Sequence, residues 1–148
     1  MSINIENYEA CLDFNDGRSK AVFKDRGSGL SKFNAINQAS KTIMGLRVDD
    51  CLIKEGAKCD YLLIIEAEKK LYFIELKGSD LVKAVDQIST TLDKLLPSID
   101  HKIVNGRIVL SKVNAPDIKD SRLLKLRQRL KQLNGTLEYK SILMEENI

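Results

Sequence analysis

Residues 59–79 read CDYLLIIEAEKKLYFIELKGS, and the reading of this stretch decides the fold. Two apolar runs, Cys59–Glu66 and Leu71–Gly78, are rich in Leu, Ile, Tyr and Phe and flank a polar AEKK segment. That is the pattern of two strands joined by a turn. Each run is apolar at successive rather than alternate positions, so both faces of the strand pair have to be covered. Asp60, Glu75 and Lys77 interrupt the apolar pattern. A charge among apolar neighbours costs free energy unless it is paired or binds a metal, so these three are the first candidates for a site.

The connection sets the register. A two-residue loop (Glu68-Lys69) or a four-residue loop (Ala67–Lys70) makes paired positions sum to 137. Asp60 then lies opposite Lys77, and Leu62 opposite Glu75. Opposed residues share a face, so all three charges converge on one face at the end of the hairpin away from its turn. A three- or five-residue loop would send Asp60 to the other face.

Working outward, Leu30, Phe33, Ile36 and Ile43 recur at near-helical spacing, which predicts a helix from Leu30 to Met44 ended by Gly45. A strand is expected at about Leu46–Lys54. The stretch before Gly29 reads as irregular and glycine-punctuated. Downstream, Leu81, Val85, Ile88, Leu92 and Leu95 form the stripe of a helix starting after Ser79 and stopped by Pro97. A strand is expected within Lys102–Val113, with Asn105-Gly106 as a candidate interruption. Another helix follows, with Leu123, Leu126, Leu130 and Leu133 inward and Asn134-Gly135 closing it. A strand over about Thr136–Leu143 and a frayed acidic end complete the chain. The order α-β-β-β-α-β-α-β predicts one domain over 1–148, an α/β sandwich around a mixed sheet.

The 148 residues are 43% hydrophobic and 30% charged, which excludes a disordered tail. No apolar run is long enough for a membrane helix, and the N-terminus has no secretory pattern, so a cytoplasmic, membrane-free protein is expected. Three cysteines (Cys11, Cys51, Cys59) without CxxC spacing, and a single histidine, His101, argue against a structural zinc site. Reduced thiols are the expectation for that compartment. His101 is read as a surface residue and Cys59 as a small buried hydrophobe. The net charge is only +3, yet six basic residues (Lys119, Arg122, Lys125, Arg127, Arg129, Lys131) face one acid, Asp120. This is a local basic stripe, compatible with a solvated helix face or with phosphate contacts.

Two carboxylates and an ammonium at this spacing suit metal-assisted phosphodiester hydrolysis. Asp60, Glu75 and the backbone carbonyl of Leu76 offer hard oxygen ligands to Mg²⁺, with Mn²⁺ as a substitute. Lys77 is placed to orient the attacking water or to stabilise charge in the transition state.

Asp60, fourteen intervening residues, then Glu75-Leu76-Lys77 resembles the PD-(D/E)xK, or restriction-endonuclease-like, nuclease superfamily. Cys59 stands where the motif usually has proline. The resemblance covers about Leu30 to Val113 and extends to Gln87, since many members carry a glutamine on the following helix. It implies an αβββαβ core with a mixed central sheet flanked by helices, followed here by a C-terminal helix and strand. It also implies a Mg²⁺-dependent endonuclease acting on DNA, with Asp60, Glu75, Lys77 and Gln87 as its catalytic set. Many members supply a further acid from the first helix, and Leu30–Met44 has none; Asn34, Asn37 and Gln38 are not equivalent, while Glu6, Glu9, Asp13, Asp49 and Asp50 are alternatives. Arg122, Lys125 and Arg129 are the expected nucleic-acid contacts. A homodimer is expected because cutting two strands needs two sites, and specificity is expected to come from substrate shape, the dimer partner or another protein. The rival reading is a catalytically silent adaptor of the same fold that binds nucleic acid or protein within a larger assembly.

Overall fold

The computed structural model describes residues 3–27, 29–76, 78–112 and 120–148. The expected hairpin is present as strands β5 (Tyr61–Ile65) and β6 (Lys70–Glu75), every residue buried except Lys70, which is partly so. Upstream lie β1 (Leu12–Asp16), β2 (Lys20–Lys24), β3 (Lys32–Ile36) and β4 (Ile43–Arg47). Downstream come helix α1 (Leu81–Leu95), β7 (Ile103–Leu110), helix α2 (Ser121–Gln132), β8 (Leu137–Ser141) and β9 (Leu143–Asn147). A six-stranded mixed sheet has the order β1-β4-β5-β6-β7-β8, and a three-stranded sheet the order β2-β3-β9.

The two apolar faces of the hairpin meet different covers. Leu62, Ile64, Leu71 and Phe73 pack with the inward stripes of α1 and α2. Tyr61, Leu63, Ile65, Tyr72 and Ile74 pack with Phe23, Phe33, Ala35 and Met144 of the small sheet. The result is three layers: helices, mixed sheet, small sheet. Strands β4, β5 and β6 form an antiparallel meander, whereas β6, β7 and β8 run parallel and are linked by the two helices. The helices run in the same direction, since Arg122 pairs with Asp86 (3.5 Å) and, seven residues further along each helix, Arg129 with Asp93 (2.8 Å).

The downstream helices follow their sequence signals. All five predicted stripe residues of α1 are buried, and Asp80 caps it by accepting a hydrogen bond from the Lys83 backbone N–H (3.1 Å). Helix α2 buries Leu123, Leu126 and Leu130. It closes as a Schellman motif: Asn134 takes the left-handed conformation (φ 63°), its N–H bonds the Lys131 carbonyl, and the Gly135 N–H bonds the Leu130 carbonyl.

Four expectations are corrected. No helix forms between Leu30 and Met44; that stretch is β3, a turn and the start of β4. Leu30 is 71% exposed, while Phe33 and Ala35 alternate inward as strand residues. The Asn37 side chain donates to the Arg18 and Lys41 carbonyls and accepts from the Lys41 N–H, which turns the backbone away from a helix. Gly45 is no helix terminator: it pairs with Phe14, whose ring occupies the space a Cβ would need. The N-terminal stretch supplies β1 and β2 rather than irregular chain. The acidic end is β9, parallel to β3; the chain changes sheets at Ile142 (φ 67°), whose N–H bonds the Leu110 carbonyl and whose carbonyl accepts from the Lys32 N–H. Asn105 and Gly106 lie inside an unbroken β7. The overall class is therefore mixed α/β, without the leading helix of an αβββαβ order among the described residues.

Cys11 and Cys51 form a disulfide across 40 residues of sequence, against the expectation of reduced thiols. It ties the turn before β1 to the turn after β4. Cys59 is free and buried, as expected.

Two outcomes follow from this packing. Gly45→Val should destabilise the protein by about 1–3 kcal/mol through overpacking against Phe14, and adding Phe14→Leu should restore part of the loss; urea denaturation checks both. Cys11→Ser/Cys51→Ser, or reduction, should lower stability by roughly 2–4 kcal/mol by freeing the 40-residue loop in the unfolded chain, read as a lower melting temperature.

Candidate active site

Glu75 ends β6, and Asp60 immediately precedes β5, its antiparallel partner, so both carboxylates stand at one end of the sheet. This is also the carboxyl end of the parallel strands β6, β7 and β8, where α/β sheets commonly place ligands. The observed register runs from Tyr61↔Ile74 to Ile65↔Lys70, so paired positions sum to 135 rather than 137. The connection is the four residues Glu66–Lys69, one position earlier than expected, with Lys69 in the left-handed conformation (φ 50°). Leu62 therefore faces Phe73 instead of Glu75. Extending the same register brings Asp60 level with Glu75 instead of residue 77. Lys77 lies outside the described residues.

Beside Asp60 the ladder becomes irregular. Its N–H donates to the Ile74 carbonyl (3.0 Å), its carbonyl accepts from Val48 (2.9 Å) and Asp49 (3.3 Å), and its carboxylate Oδ2 accepts from the Leu76 N–H (2.8 Å). That last bond fixes the Asp60 carboxylate against the residue following Glu75. On the other side of Asp60, the Cys59 N–H donates to Thr91 Oγ1 (2.8 Å), and the Thr91 hydroxyl donates to the Gln87 carbonyl (2.7 Å). Fully buried Thr91 thus fastens the approach to Asp60 onto the turn of α1 that carries Gln87. Burial pushes the Cys59 thiol up, and the charges of Glu75 and then Asp60 push it further, so both carboxylates act on one buried sulfur.

Glu75 is only 1% exposed. With Gly78, Asp80, Lys83 and Gln87 it lines a cavity of about 200 Å³. Gly78 needs its positive φ (80°) to turn the chain into α1, and its carbonyl accepts from the Ser111 N–H (2.8 Å) and hydroxyl (3.0 Å). Asp60 lines a second cavity, of about 330 Å³, with Asp25, Arg26, Gly27, Asp49 and Asp50. The fold therefore brings Glu75 and Gln87 together in one cavity and places Asp60 in another, linked to the first through Leu76. Among the described residues no group of three or more His, Cys, Asp or Glu is arranged to hold a metal ion.

Comparison with protein-family models, with curated proteins and with solved structures gives no match. The site is therefore read from its own residues.

Of the alternative acids, Asp49 and Asp50 reach the Asp60 cavity. Asp13 instead pairs with Arg47 (3.6 Å), and Glu6 lines a separate cavity beside the disulfide. Asn34 donates to Glu145 (3.0 Å) and Asn37 serves its turn, so neither faces the site. His101, whose Nδ1 contacts the Ile99 carbonyl (2.7 Å), precedes β7 at the far end of the sheet. Tyr61 and Tyr72 pack in the core beneath the small sheet, and burial raises the Tyr72 hydroxyl to about 12. On α2, Arg122 is bound to Asp120 and Asp86, and Arg129 to Asp93, leaving Lys125 as the one expected phosphate contact without an ion pair among the described residues.

Sequence reading missed Lys83, Thr91 and Arg26. Lys83 lies one helical turn before Gln87, a spacing visible in the sequence. Nothing in the sequence marks Thr91 or Arg26, because long-range pairing alone brings them here.

Thr91→Val should cost about 1–3 kcal/mol by leaving the buried Cys59 N–H without its acceptor, while Thr91→Ser should keep most of the stability. Chemical denaturation of the two variants distinguishes a lost hydrogen bond from lost volume.

Proposed function

We propose that this chain is a metal-dependent nuclease that hydrolyses phosphodiester bonds, with DNA as substrate, and that its fold is a variant of the restriction-endonuclease-like core. The observation that carries the reading is the hydrogen bond from the Leu76 N–H to Asp60 Oδ2, which fixes one carboxylate beside the buried Glu75 at the mouth of the sheet. The meander β4-β5-β6, followed by α1 and the parallel strand β7, supports the βββαβ part of that core. The small sheet stands where a leading helix would cover the other face.

The donor types suit Mg²⁺, since two carboxylates and a peptide carbonyl are hard oxygens and this ion is commonly held by one or two carboxylates plus waters and substrate phosphate. Asp60 and Glu75 line separate cavities linked through Leu76, so either carboxylate would be the first ligand of such an ion. When bound, Mg²⁺ would lower the pKa of an attacking water and shield charge on the phosphoryl oxygens. Asp60 and Glu75 would hold it, with the Leu76 carbonyl as third protein ligand. Lys77 would orient the nucleophile, and Gln87 would position substrate in the cavity it shares with Glu75. A partner chain or a homodimer would supply the second cut and the specificity.

One observation favours the second reading, a silent adaptor: among the described residues no group of three or more His, Cys, Asp or Glu is arranged to hold a metal ion, and Asp60 and Glu75 line separate cavities. Cleavage and metal binding separate the two. Plasmid, linear duplex, four-way junction, single-stranded DNA and RNA should be incubated with Mg²⁺ or Mn²⁺. Cutting should fall at least about 100-fold in Asp60→Asn and in Glu75→Gln. Mn²⁺ should raise the melting temperature of the wild-type chain and not of Asp60→Asn, which retains an acceptor for the Leu76 N–H. Cutting that survives Asp60→Asn would overturn this site. Neither cutting nor a metal shift would favour the adaptor.

A further inference from the structure

The β2–β3 hairpin carries positive charge that the fold does not neutralise. Lys24 and Lys32 are directly paired across its two strands and both are exposed. Like charges opposite each other in an antiparallel pair repel, so the arrangement costs stability. Neither lysine makes an ion pair among the described residues, and nor does Arg26 in the loop between them. Lys20, at the other end of β2, does approach an acid, Glu145 (4.0 Å). The unbalanced charge is thus confined to the loop end of the hairpin.

That end is fastened beside the candidate site. The Tyr61 hydroxyl donates to the Lys24 carbonyl (3.0 Å), and the Phe23 and Tyr61 rings lie 5.2 Å apart. Tyr61 follows Asp60 directly, and Arg26 lines the Asp60 cavity. The described residues of the loop are hydrogen-bonded to one another. Asp25 closes it by donating its N–H to the Ser31 carbonyl (3.2 Å) and by accepting the Gly27 N–H on Oδ1 (2.9 Å), and a Cβ at Gly29 would collide with that carboxylate. Asp25 Oδ1 is thus engaged within its own loop, while Asp25 also lines the Asp60 cavity beside Arg26, Asp49 and Asp50.

We propose that this hairpin is the substrate grip of the protein, with Lys24 and Lys32 clamping a phosphodiester of a nucleic-acid backbone and Arg26 contacting phosphate nearer Asp60. The inference rests on the nuclease reading for the identity of its ligand, a polyanion whose scissile bond must reach Asp60. An anion between the two ammonium groups converts their mutual repulsion into attraction for a common partner. It also shifts the main electrostatic contact from α2, where Arg122 and Arg129 are held by acids, to the small sheet.

A competing account is that lysines on β2, an edge strand, merely deter pairing with other chains. Glutamates would serve that purpose equally, so charge reversal separates the two. Binding of labelled duplex DNA, single-stranded DNA and RNA to the full chain should be followed by fluorescence anisotropy in EDTA over a range of salt concentrations. Lys24→Glu/Lys32→Glu should weaken binding at least about tenfold at low salt and reduce the salt slope by about two. Lys24→Arg/Lys32→Arg should bind as the wild type does, and Lys125→Glu should have the smaller effect. Lys24→Ala/Lys32→Ala guards against a folding defect: it should weaken binding while leaving the melting temperature unchanged or raised. Unaltered affinity in both the charge-reversed and alanine pairs, or no binding of any of the three nucleic acids by the wild type, would overturn the proposal. Hairpin-dependent binding without metal-dependent cutting would sink the nuclease reading and leave the grip standing. Cutting with hairpin-independent affinity would do the reverse.

Discussion

Everything in this fold depends on burying both faces of one hairpin. Strands β5 and β6 carry apolar side chains at successive positions, so a single covering layer would leave half of them in water. At about 25 cal/mol per Å² of apolar surface, each uncovered Leu, Ile or Phe would forfeit roughly 1.5–3 kcal/mol, more than a marginally stable domain can lose several times over. Two covers are therefore obligatory. The chain after the hairpin provides one as helices, because parallel strands require crossovers long enough to hold a helix. The chain before it, with the last strand, provides the other as a second sheet.

The same constraint explains what the sequence disclosed. Where burial is continuous, the pattern is strong: the hairpin, α1 and α2 are all visible in their spacing and caps. The facing of the regular part of the hairpin was also legible, because shifting the register sum from 137 to 135 preserves parity and moves each partner by two residues; the irregularity at Asp60 was not, and it places Asp60 and Glu75 in separate cavities. The loop itself was not, since Lys69 adopts a left-handed conformation that no glycine or asparagine announces. The misread segment is Leu30–Met44. Four apolar residues there match helical spacing, yet one of them, Leu30, is exposed, and the turn is made by Asn37 bonding to residues on both sides of it. Short strands whose neighbours come from β9, more than a hundred residues away, leave little periodic trace.

The candidate site shows a similar division. Asp60 and Glu75 stood out because they interrupt an apolar pattern, and Gln87 only through the family resemblance. The residues that position them did not. Thr91 joins the backbone before Asp60 to the turn bearing Gln87, and a threonine within a helix has no distinctive signature. The pair Cys11–Cys51 likewise meets only because β1 and β4 are neighbours. In each case the signal resides in contacts between elements distant in sequence, and local sequence does not encode it.

The position of the site follows from how the two covers end. Strands β5 and β6 stop being apolar at the edge where helix α1 begins and where the β2–β3 loop turns. At that edge each cover contributes its own polar groups: Gln87 and Lys83 from the helical layer, Arg26 from the small sheet. The Asp60 carboxylate, bonded to the Leu76 N–H, lies in the cavity that Arg26 lines, and Glu75 in the one lined by Lys83 and Gln87. Deep burial of Glu75 requires compensation from its surroundings, while the paired lysines are exposed to solvent and would gain from an anion between them. A carboxylate site and a cationic grip on either side of one strand end form a complementary pair: the first would repel a phosphate chain on its own, and the second would hold that chain without acting on it. If the chain is the nuclease proposed above, their juxtaposition, set by the hydrogen bond from Tyr61 to the Lys24 carbonyl, would link the fold to that chemistry.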